Sequence, residues 1–305
     1  MSNDPVAFLP DSPDDEITEF FSLDAATGLE LSVDQARLDQ GMALISQNKY
    51  PEAIAIFNQA LGLNPQQPEI WHQQGTAWRK LGNYQKAIDS YDRAIALQAN
   101  HYQAWSYRGV CYHAIANYNE AVNSFNRATS LRPQYYPAWN NRGTSLVSLG
   151  RYQEAVESFQ RATESKPDFH EAWVNKGNIH RKLGEYEQAL TAYQQAVKIY
   201  PQSAQTWNNL GTVFTKLERL TEAVEAYREA TKLEPKYALA WYNQACTLVK
   251  INRFHEANLA FEQSTKLRPQ DHQIWVAHGN LLLRMEQTER AQACFAQAIK
   301  LKPDG

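Results

Sequence analysis

The sequence has little of what secreted, membrane and metal-binding proteins need. It contains three cysteines, Cys111, Cys246 and Cys294, so it has neither a disulfide framework nor a CxxC pair for a metal. Its apolar runs are too short for a transmembrane helix, and its first ten residues do not form a signal peptide. We therefore expect a cytoplasmic protein with reduced thiols, no membrane span and no disulfides.

The common motifs of catalysis and cofactor binding are also missing. The sequence has no GxSxG, GxxxxGK[ST], GxGxxG or HExxH, and its eight histidines do not show paired ligand spacing. We therefore predict no catalytic residues, no metal site and no cofactor, and hence a protein that is not an enzyme. A net charge of -3 argues against nucleic acid as a partner, because such proteins neutralise phosphates with an excess of Lys and Arg.

What the sequence does contain is a period of 34 residues. Seven of its eight tryptophans follow this period: Trp71, Trp105, Trp139, Trp173, Trp207, Trp241 and Trp275. Four residues after each Trp comes a glycine or, once, an alanine: Gly75, Gly109, Gly143, Gly177, Gly211, Ala245 and Gly279. Twenty residues after each Trp comes a second aromatic: Tyr91, Phe125, Phe159, Tyr193, Tyr227, Phe261 and Phe295. One earlier unit lacks the Trp but keeps Gly41, Phe57 and Pro65.

These residues and their spacing resemble the tetratricopeptide repeat family. The resemblance implies an all-α fold, a right-handed superhelical α-solenoid of eight helix–turn–helix repeats, each with a first (A) and a second (B) helix. With Trp at position 4, the repeat domain spans residues 34–305. Its repeats are 34–67, 68–101, 102–135, 136–169, 170–203, 204–237, 238–271 and 272–305.

The residue types agree with helix packing. Glycine at position 8 and alanine at position 20 allow two helices to approach closely, and the aromatics at positions 4 and 24 are expected to fill the space between successive pairs. Asn48, Gly82, Gly150 and Gly184 fall at position 15, where a helix C-terminus favours left-handed backbone. The Trp stripe is therefore predicted to be core rather than a ligand site.

The A helices carry the candidate binding residues. Positions 6, 9 and 13 lie on one side of a helix, which lines the concave groove in this family. Asparagines occupy position 6 in repeats 4–7 and position 9 in repeats 5 and 8, and cations occupy position 13 in repeats 5–8. These residues are Asn141, Asn175, Asn209, Asn243, Asn178, Asn280, Lys182, Lys216, Lys250 and Arg284.

An asparagine ladder suits an extended peptide, because each amide offers a donor and an acceptor to a peptide backbone. The ladder is similar to that of the repeat superhelix of O-linked N-acetylglucosamine transferases, whose catalytic domain has no counterpart here. The row of cations favours acidic ligands.

We therefore predict a scaffold or adaptor that binds a protein or peptide and assembles or recruits a complex. The alternative is a regulatory or targeting subunit of a separately encoded enzyme, such as a glycosyltransferase.

Residues 1–33 differ from the repeats. They carry eight acidic residues and no Lys or Arg, and they include Ile17, Phe20 and Phe21. We predict a partly disordered arm that caps repeat 1; the alternative is an acidic-hydrophobic docking segment. At the other end, Ala293, Ala296 and Ile299 lie on the last repeat helix without a further capping helix, which predicts self-association there.

Overall fold

A computed structural model describes residues 33–301. Within this range the chain forms sixteen α-helices and no strand. The A helices are α1 Val33–Ser46, α3 Pro68–Lys80, α5 Tyr102–Ala114, α7 Tyr136–Ser148, α9 His170–Leu183, α11 Ala204–Lys216, α13 Ala238–Lys250 and α15 His272–Arg284. The B helices are α2 Tyr50–Leu63, α4 Tyr84–Leu97, α6 Tyr118–Leu131, α8 Tyr152–Ser165, α10 Tyr186–Ile199, α12 Leu220–Leu233, α14 Phe254–Leu267 and α16 Thr288–Leu301. The all-α prediction is confirmed.

The chain divides into two compact units, residues 1–167 (unit 1) and 168–305 (unit 2). Within each unit, every A helix packs against the B helix that follows it, and that B helix packs against the next A helix. Consecutive A helices also contact one another, as α3 and α5 do in unit 1 and α11 and α13 in unit 2. The A helices therefore form one layer of each unit and the B helices another.

The core of each repeat is a contact between position 8 and position 24. A Cβ atom added to Gly143 would lie 2.6 Å from the ring of Phe159, and one added to Gly211 would lie 2.7 Å from the ring of Tyr227. Phe159 and Tyr227 are both buried. Glycine is needed because the ring on the B helix lies directly against the A-helix backbone. Repeat 7 has Ala245 at this position, beside the buried Phe261.

The turn between the two helices of a repeat passes through left-handed backbone at position 15. Gly82, Gly150 and Gly184 have φ between 74° and 79°, and Asn48 has φ 58°, which confirms the four predicted turn residues. Four residues other than glycine adopt the same conformation in the remaining repeats, each with φ 60°: Ala116, Glu218, Asn252 and Glu286. The register, rather than the residue type, therefore determines the turn.

The tryptophans at position 4 are half-buried rather than fully buried. Six of them donate their Nε1–H to the carbonyl six residues earlier, as Trp207 does to Pro201 at 2.8 Å and Trp241 does to Pro235 at 3.0 Å. The ring therefore packs at the edge of the core and ties the A helix to the link that precedes it. The aromatics at position 24 are buried in repeats 1–7, whereas Phe295 in repeat 8 is half-buried.

Several predictions concern residues or divisions that the structure leaves open. The predicted arm, residues 1–33, lies outside the described residues except for its last residue. The division into an arm and one eight-repeat domain stays a prediction, as does self-association through repeat 8. On the last helix, Ala293, Ala296 and Ile299 are exposed.

Candidate functional site

In unit 2, the predicted asparagine ladder joins neighbouring A helices. Asn209 on α11 donates its Nδ2 to Asn178 Oδ1 on α9 at 3.4 Å, and Asn243 on α13 donates to Asn208 Oδ1 on α11 at 3.0 Å. Asn178 Oδ1 also accepts from the hydroxyl of Tyr193 at 2.6 Å. These hydrogen bonds between side-chain amides therefore hold neighbouring A helices at a fixed spacing. Asn208, at position 5, has no role in the sequence prediction.

Burial separates the predicted asparagines into two groups. Asn141, Asn175, Asn178 and Asn209 are buried, whereas Asn243 is half-buried and Asn280 is exposed. Asn243 Oδ1 and the whole Asn280 amide have no hydrogen-bond partner among the described residues. The amides best placed to meet a ligand are therefore those of repeats 7 and 8, and contact between the ladder and a peptide stays a prediction.

The four cations at position 13 are exposed, and we refer to them as the basic row: Lys182, Lys216, Lys250 and Arg284. Each lies in the last turn of its A helix, where a positive charge stabilises the helix dipole. Positions 6 and 13 are about 20° apart around a helix. The basic row therefore lies on the same side of its helices as Asn243.

In unit 1, titratable and aromatic side chains lie between the A helices of repeats 2 and 3, where unit 2 has asparagines. The rings of His72 and His101 stack with centroids 4.6 Å apart, and His101 Nε2 lies 3.2 Å from Glu69 Oε2. The guanidinium of Arg79 lies 4.7 Å from the ring centroid of Tyr107. His72, His101 and Arg79 are buried. This cluster was not predicted, because the spacing of its histidines in the sequence matches no metal-ligand pattern and their contact arises only from the stacking of repeats 2 and 3.

The charges of this cluster are set by its burial. Burial lowers the pKa of His72 to about 4, against the attraction of Glu69, so the ring is neutral at pH 7. Burial alone would raise the pKa of Glu69, but hydrogen bonds from His101 and Gln73 and the nearby His72 hold it at about 2. Nδ1 of His72 is buried and has no hydrogen-bond partner among the described residues. The cluster therefore keeps one ionised carboxylate beside a neutral ring that resists protonation.

A second set of polar contacts lies at position 7 and joins several A helices to the B helices beside them. Gln74 donates to Asn58 Oδ1 at 2.8 Å on the preceding B helix and accepts from Ser90 at 3.0 Å on the following one. Arg142 donates to both of its partners, Asn126 Oδ1 at 2.6 Å on the preceding B helix and Ser158 Oγ at 2.5 Å on the following one. Because these side chains already form hydrogen bonds between helices, they are not candidates for ligand contact.

A Cys–His–Asn arrangement that spans repeats 7 and 8 has the residue types of a nucleophilic site. Cys294 Sγ lies 3.9 Å from His278 Nδ1, and His278 Nε2 lies 2.9 Å from Asn258 Oδ1. Burial raises the pKa of Cys294 and lowers that of His278, so both groups are neutral at pH 7 rather than a thiolate and an imidazolium. The three residues therefore form a neutral, buried contact between α14, α15 and α16.

No group of three or more His, Cys, Asp or Glu side chains within residues 33–301 could hold a metal ion. In the same range, no helix combines the length and the apolar character required to cross a bilayer.

Solved structures with a similar fold include two that are described as tetratricopeptide repeat proteins. The C-terminal part of a repeat protein from Cytophaga hutchinsonii has a TM-score of 0.67 and 15% identity, covering 78% of this chain and 97% of that chain. YrrB, described as a TPR protein with an unusual peptide-binding site, has a TM-score of 0.54 and 23% identity, covering 60% and 95%. PilF of Pseudomonas aeruginosa has a TM-score of 0.58 and 16% identity, covering 66% and 92%. At these identities the likeness shows the fold alone.

Family models account for nearly the whole chain, although no curated protein matches it. A tetratricopeptide repeat model matches residues 22–68 and 72–136, and the model of the cilia and flagella-associated protein 70 C-terminal domain matches residues 136–305. Proteins of this repeat type generally mediate contacts between proteins. Sixteen helices in the described residues, a 34-residue register and these matches together show that the chain belongs to the tetratricopeptide repeat family, with residues 136–305 in the group of that C-terminal domain.

Proposed function

We propose that the chain is a non-enzymatic scaffold that binds an extended segment of a partner protein along the A helices of repeats 6–8. The observation that carries this proposal is the state of two amides. Asn243 Oδ1 is without a hydrogen-bond partner among the described residues, and so is the whole side chain of the exposed Asn280. Such amides can accept from and donate to a peptide backbone whatever side chains the peptide carries.

The A-helix layer also suits this role mechanically. The bonds of Asn209 to Asn178 and of Asn243 to Asn208 tie neighbouring helices together. A ligand that contacts Asn243 would therefore meet a side chain already held in place by its bond to Asn208, which lowers the entropy lost on binding. The peptide-binding description of YrrB, a protein of similar fold, agrees with this mode.

Site-specific photo-crosslinking on the full chain tests which face binds. A crosslinking residue is placed at Asn280 and Lys216 on the A helices, and at the exposed Lys232 on a B helix as the matched control. We expect the two A-helix sites to capture the same segment of one partner and the B-helix site not to. Equal capture at all three sites would contradict the proposal.

The affinity of the captured segment, made as a synthetic peptide, then tests the amides. Asn243→Ala and Asn280→Ala should each weaken binding by about 0.5–1.5 kcal/mol, the value of one neutral hydrogen bond. Gln263→Ala, an exposed amide on B helix α14, is the control. Unfolding midpoints are measured alongside because Asn243 also bonds Asn208. If the captured partner is an active enzyme, the scaffold acts as its targeting subunit.

A further inference from the structure

The A helices of repeats 6–8 carry charge of one sign. Leaving histidine aside, the only charged residues in α11, α13 and α15 are Lys216, Lys250 and Arg284, one in the last turn of each helix. None of these three helices contains Asp or Glu. Because α11 contacts α13 and α13 contacts α15, the three cations follow one another across a continuous layer.

The B helices of the same repeats, with the residues that cap them, are different because their arginines are paired with carboxylates. Arg253 Nε lies 2.6 Å from Glu256, Arg228 lies 2.7 Å from the same carboxylate, and Arg290 lies 2.8 Å from Glu262. The A-helix cations have no such partners. Among the described residues Lys216 and Lys250 form no ion pair. Arg284 contacts only neutral groups: Asn252 Oδ1 at 3.4 Å and the Phe254 ring at 4.6 Å.

Two glutamates lie close to the basic row in the sequence without forming ion pairs with its cations. Glu218 and Glu286 follow Lys216 and Arg284 by two residues, in the turns, and neither forms an ion pair with a described residue. The positive charge of this face is therefore available to a ligand. A single exposed ion pair contributes little in water, so specific binding requires a ligand that presents several carboxylates along one chain.

We propose that this face binds an acidic, partly apolar peptide segment, and that residues 4–30 of the chain's own sequence are such a segment. They hold eight carboxylates and no Lys or Arg, whereas residues 34–305 have a net charge of +5, from -3 for the chain and -8 for its first 33 residues. The carboxylates are Asp4, Asp11, Asp14, Asp15, Glu16, Glu19, Asp24 and Glu30. This inference rests on the proposed function and specifies the chemistry of its partner.

The segment would then compete with a partner for this face. A partner with more carboxylates, or a better match to Asn243 and Asn280, would displace it. Neutralising its carboxylates should therefore strengthen the binding of any acidic ligand to the same face.

The test uses full-length chains and a fluorescent peptide of residues 4–30. In the neutral-arm variant, each of the eight carboxylates is replaced by its amide, which leaves chain length and apolar residues unchanged. We expect this variant to bind the peptide more tightly than the unmodified chain does. We also expect a Kd that rises about tenfold between 50 and 300 mM NaCl, because exposed charge contacts are screened by salt.

Two triple variants of the neutral-arm chain locate the contact. Lys216→Gln, Lys250→Gln and Arg284→Gln together should weaken peptide binding at least about tenfold. The matched control replaces Lys232, Lys266 and Lys300, which recur once per repeat on the B helices of the same three repeats and are also exposed. This control should change the Kd by less than about twofold.

The outcomes separate this inference from the proposed function. No binding of the peptide to the neutral-arm variant, or equal loss in both triple variants with unchanged unfolding midpoints, overturns the acidic-segment assignment. If a crosslinked partner still depends on Asn243 and Asn280 in that case, the scaffold function stands without it. Conversely, salt-sensitive binding of residues 4–30 together with identical crosslinking on both faces would support the segment and reject the proposed partner site.

Discussion

Repeats 2 and 3 of unit 1 and repeats 6 and 7 of unit 2 have the same helical register, but different side chains join their A helices. In unit 1 the junction contains stacked imidazoles, His72 and His101, with Glu69 beside them. In unit 2 the junction contains a hydrogen bond between side-chain amides, from Asn243 to Asn208. One backbone spacing therefore accepts either titratable or neutral polar groups, and the two choices predict different responses to pH and mutation.

The comparison holds only if both junctions rest on the same core, which is the buried aromatic at position 24. Phe159→Ala in unit 1 and Tyr193→Ala in unit 2 should each lower the free energy of unfolding by about 3–5 kcal/mol, the cost of a large cavity. Both rings are fully buried against a glycine. Urea unfolding of the full chain measures the effect.

Tyr193→Phe then isolates the hydroxyl that bonds Asn178, with an expected cost of about 1 kcal/mol. Tyr200→Ala, at an exposed aromatic in the same repeat, is the control and should cost far less than either core variant. A small effect of Phe159→Ala would mean that the half-buried tryptophans, and not position 24, form the core.

The second prediction concerns acid. The pKa of His72 is lowered to about 4 from an ordinary 6.5. At a pH between these two values, His72 is protonated in the unfolded chain but not in the folded chain. Stability must therefore fall as pH drops through this range, by about 2 kcal/mol between pH 7 and pH 5 from this residue alone. His113, also in unit 1, contributes in the same direction, because burial lowers its pKa to about 4.

His72→Gln should remove the share of the pH dependence due to His72, and exposed His255→Gln should leave the dependence unchanged. Unfolding free energies at pH 7 and pH 5 give the slope, and hydrogen exchange shows whether Pro68–Lys80 and Tyr102–Ala114 open first. An identical slope in wild type and His72→Gln would show that the buried imidazole does not govern acid stability. Glu69 acts only at lower pH, since its stabilisation is lost as pH falls from 4.5 to about 2.

The smallest expected effect is at the turn, which both units share. Ala116→Gly in unit 1 and Glu218→Gly in unit 2 should each stabilise the chain by about 1 kcal/mol, because both residues hold left-handed backbone. Gly82→Ala is the reverse change, and a Cβ there would meet no atom within 4 Å, so its cost is purely conformational. Shifts in the denaturation midpoint measure all three, and a destabilising Glu218→Gly would show that its side chain has a role that outweighs the backbone strain.

Much of the fold could be predicted because the residue spacing within each repeat determines how its two helices pack. The coincidence of Gly143 with Phe159, sixteen residues apart, fixes how an A and a B helix meet, and the same pair recurs along the chain. The site was less predictable. The asparagines at position 6 were correctly placed on the A helices, but their burial depends on how closely the next A helix approaches, which no single repeat encodes.

The register, the helix pairs, the left-handed turns and the row of cations in unit 2 could all be derived from the amino-acid sequence, because each follows from spacing within 34 residues. Which polar groups remain for a ligand depends instead on how the repeats stack. Asn209 and Asn243 have the same residue type and position, yet Asn209 is buried in a bond to Asn178 while Asn243 keeps its Oδ1 without a described partner. The physical reason is that a side chain between repeats is satisfied or left open by residues more than thirty positions away, and only stacking brings those residues into contact.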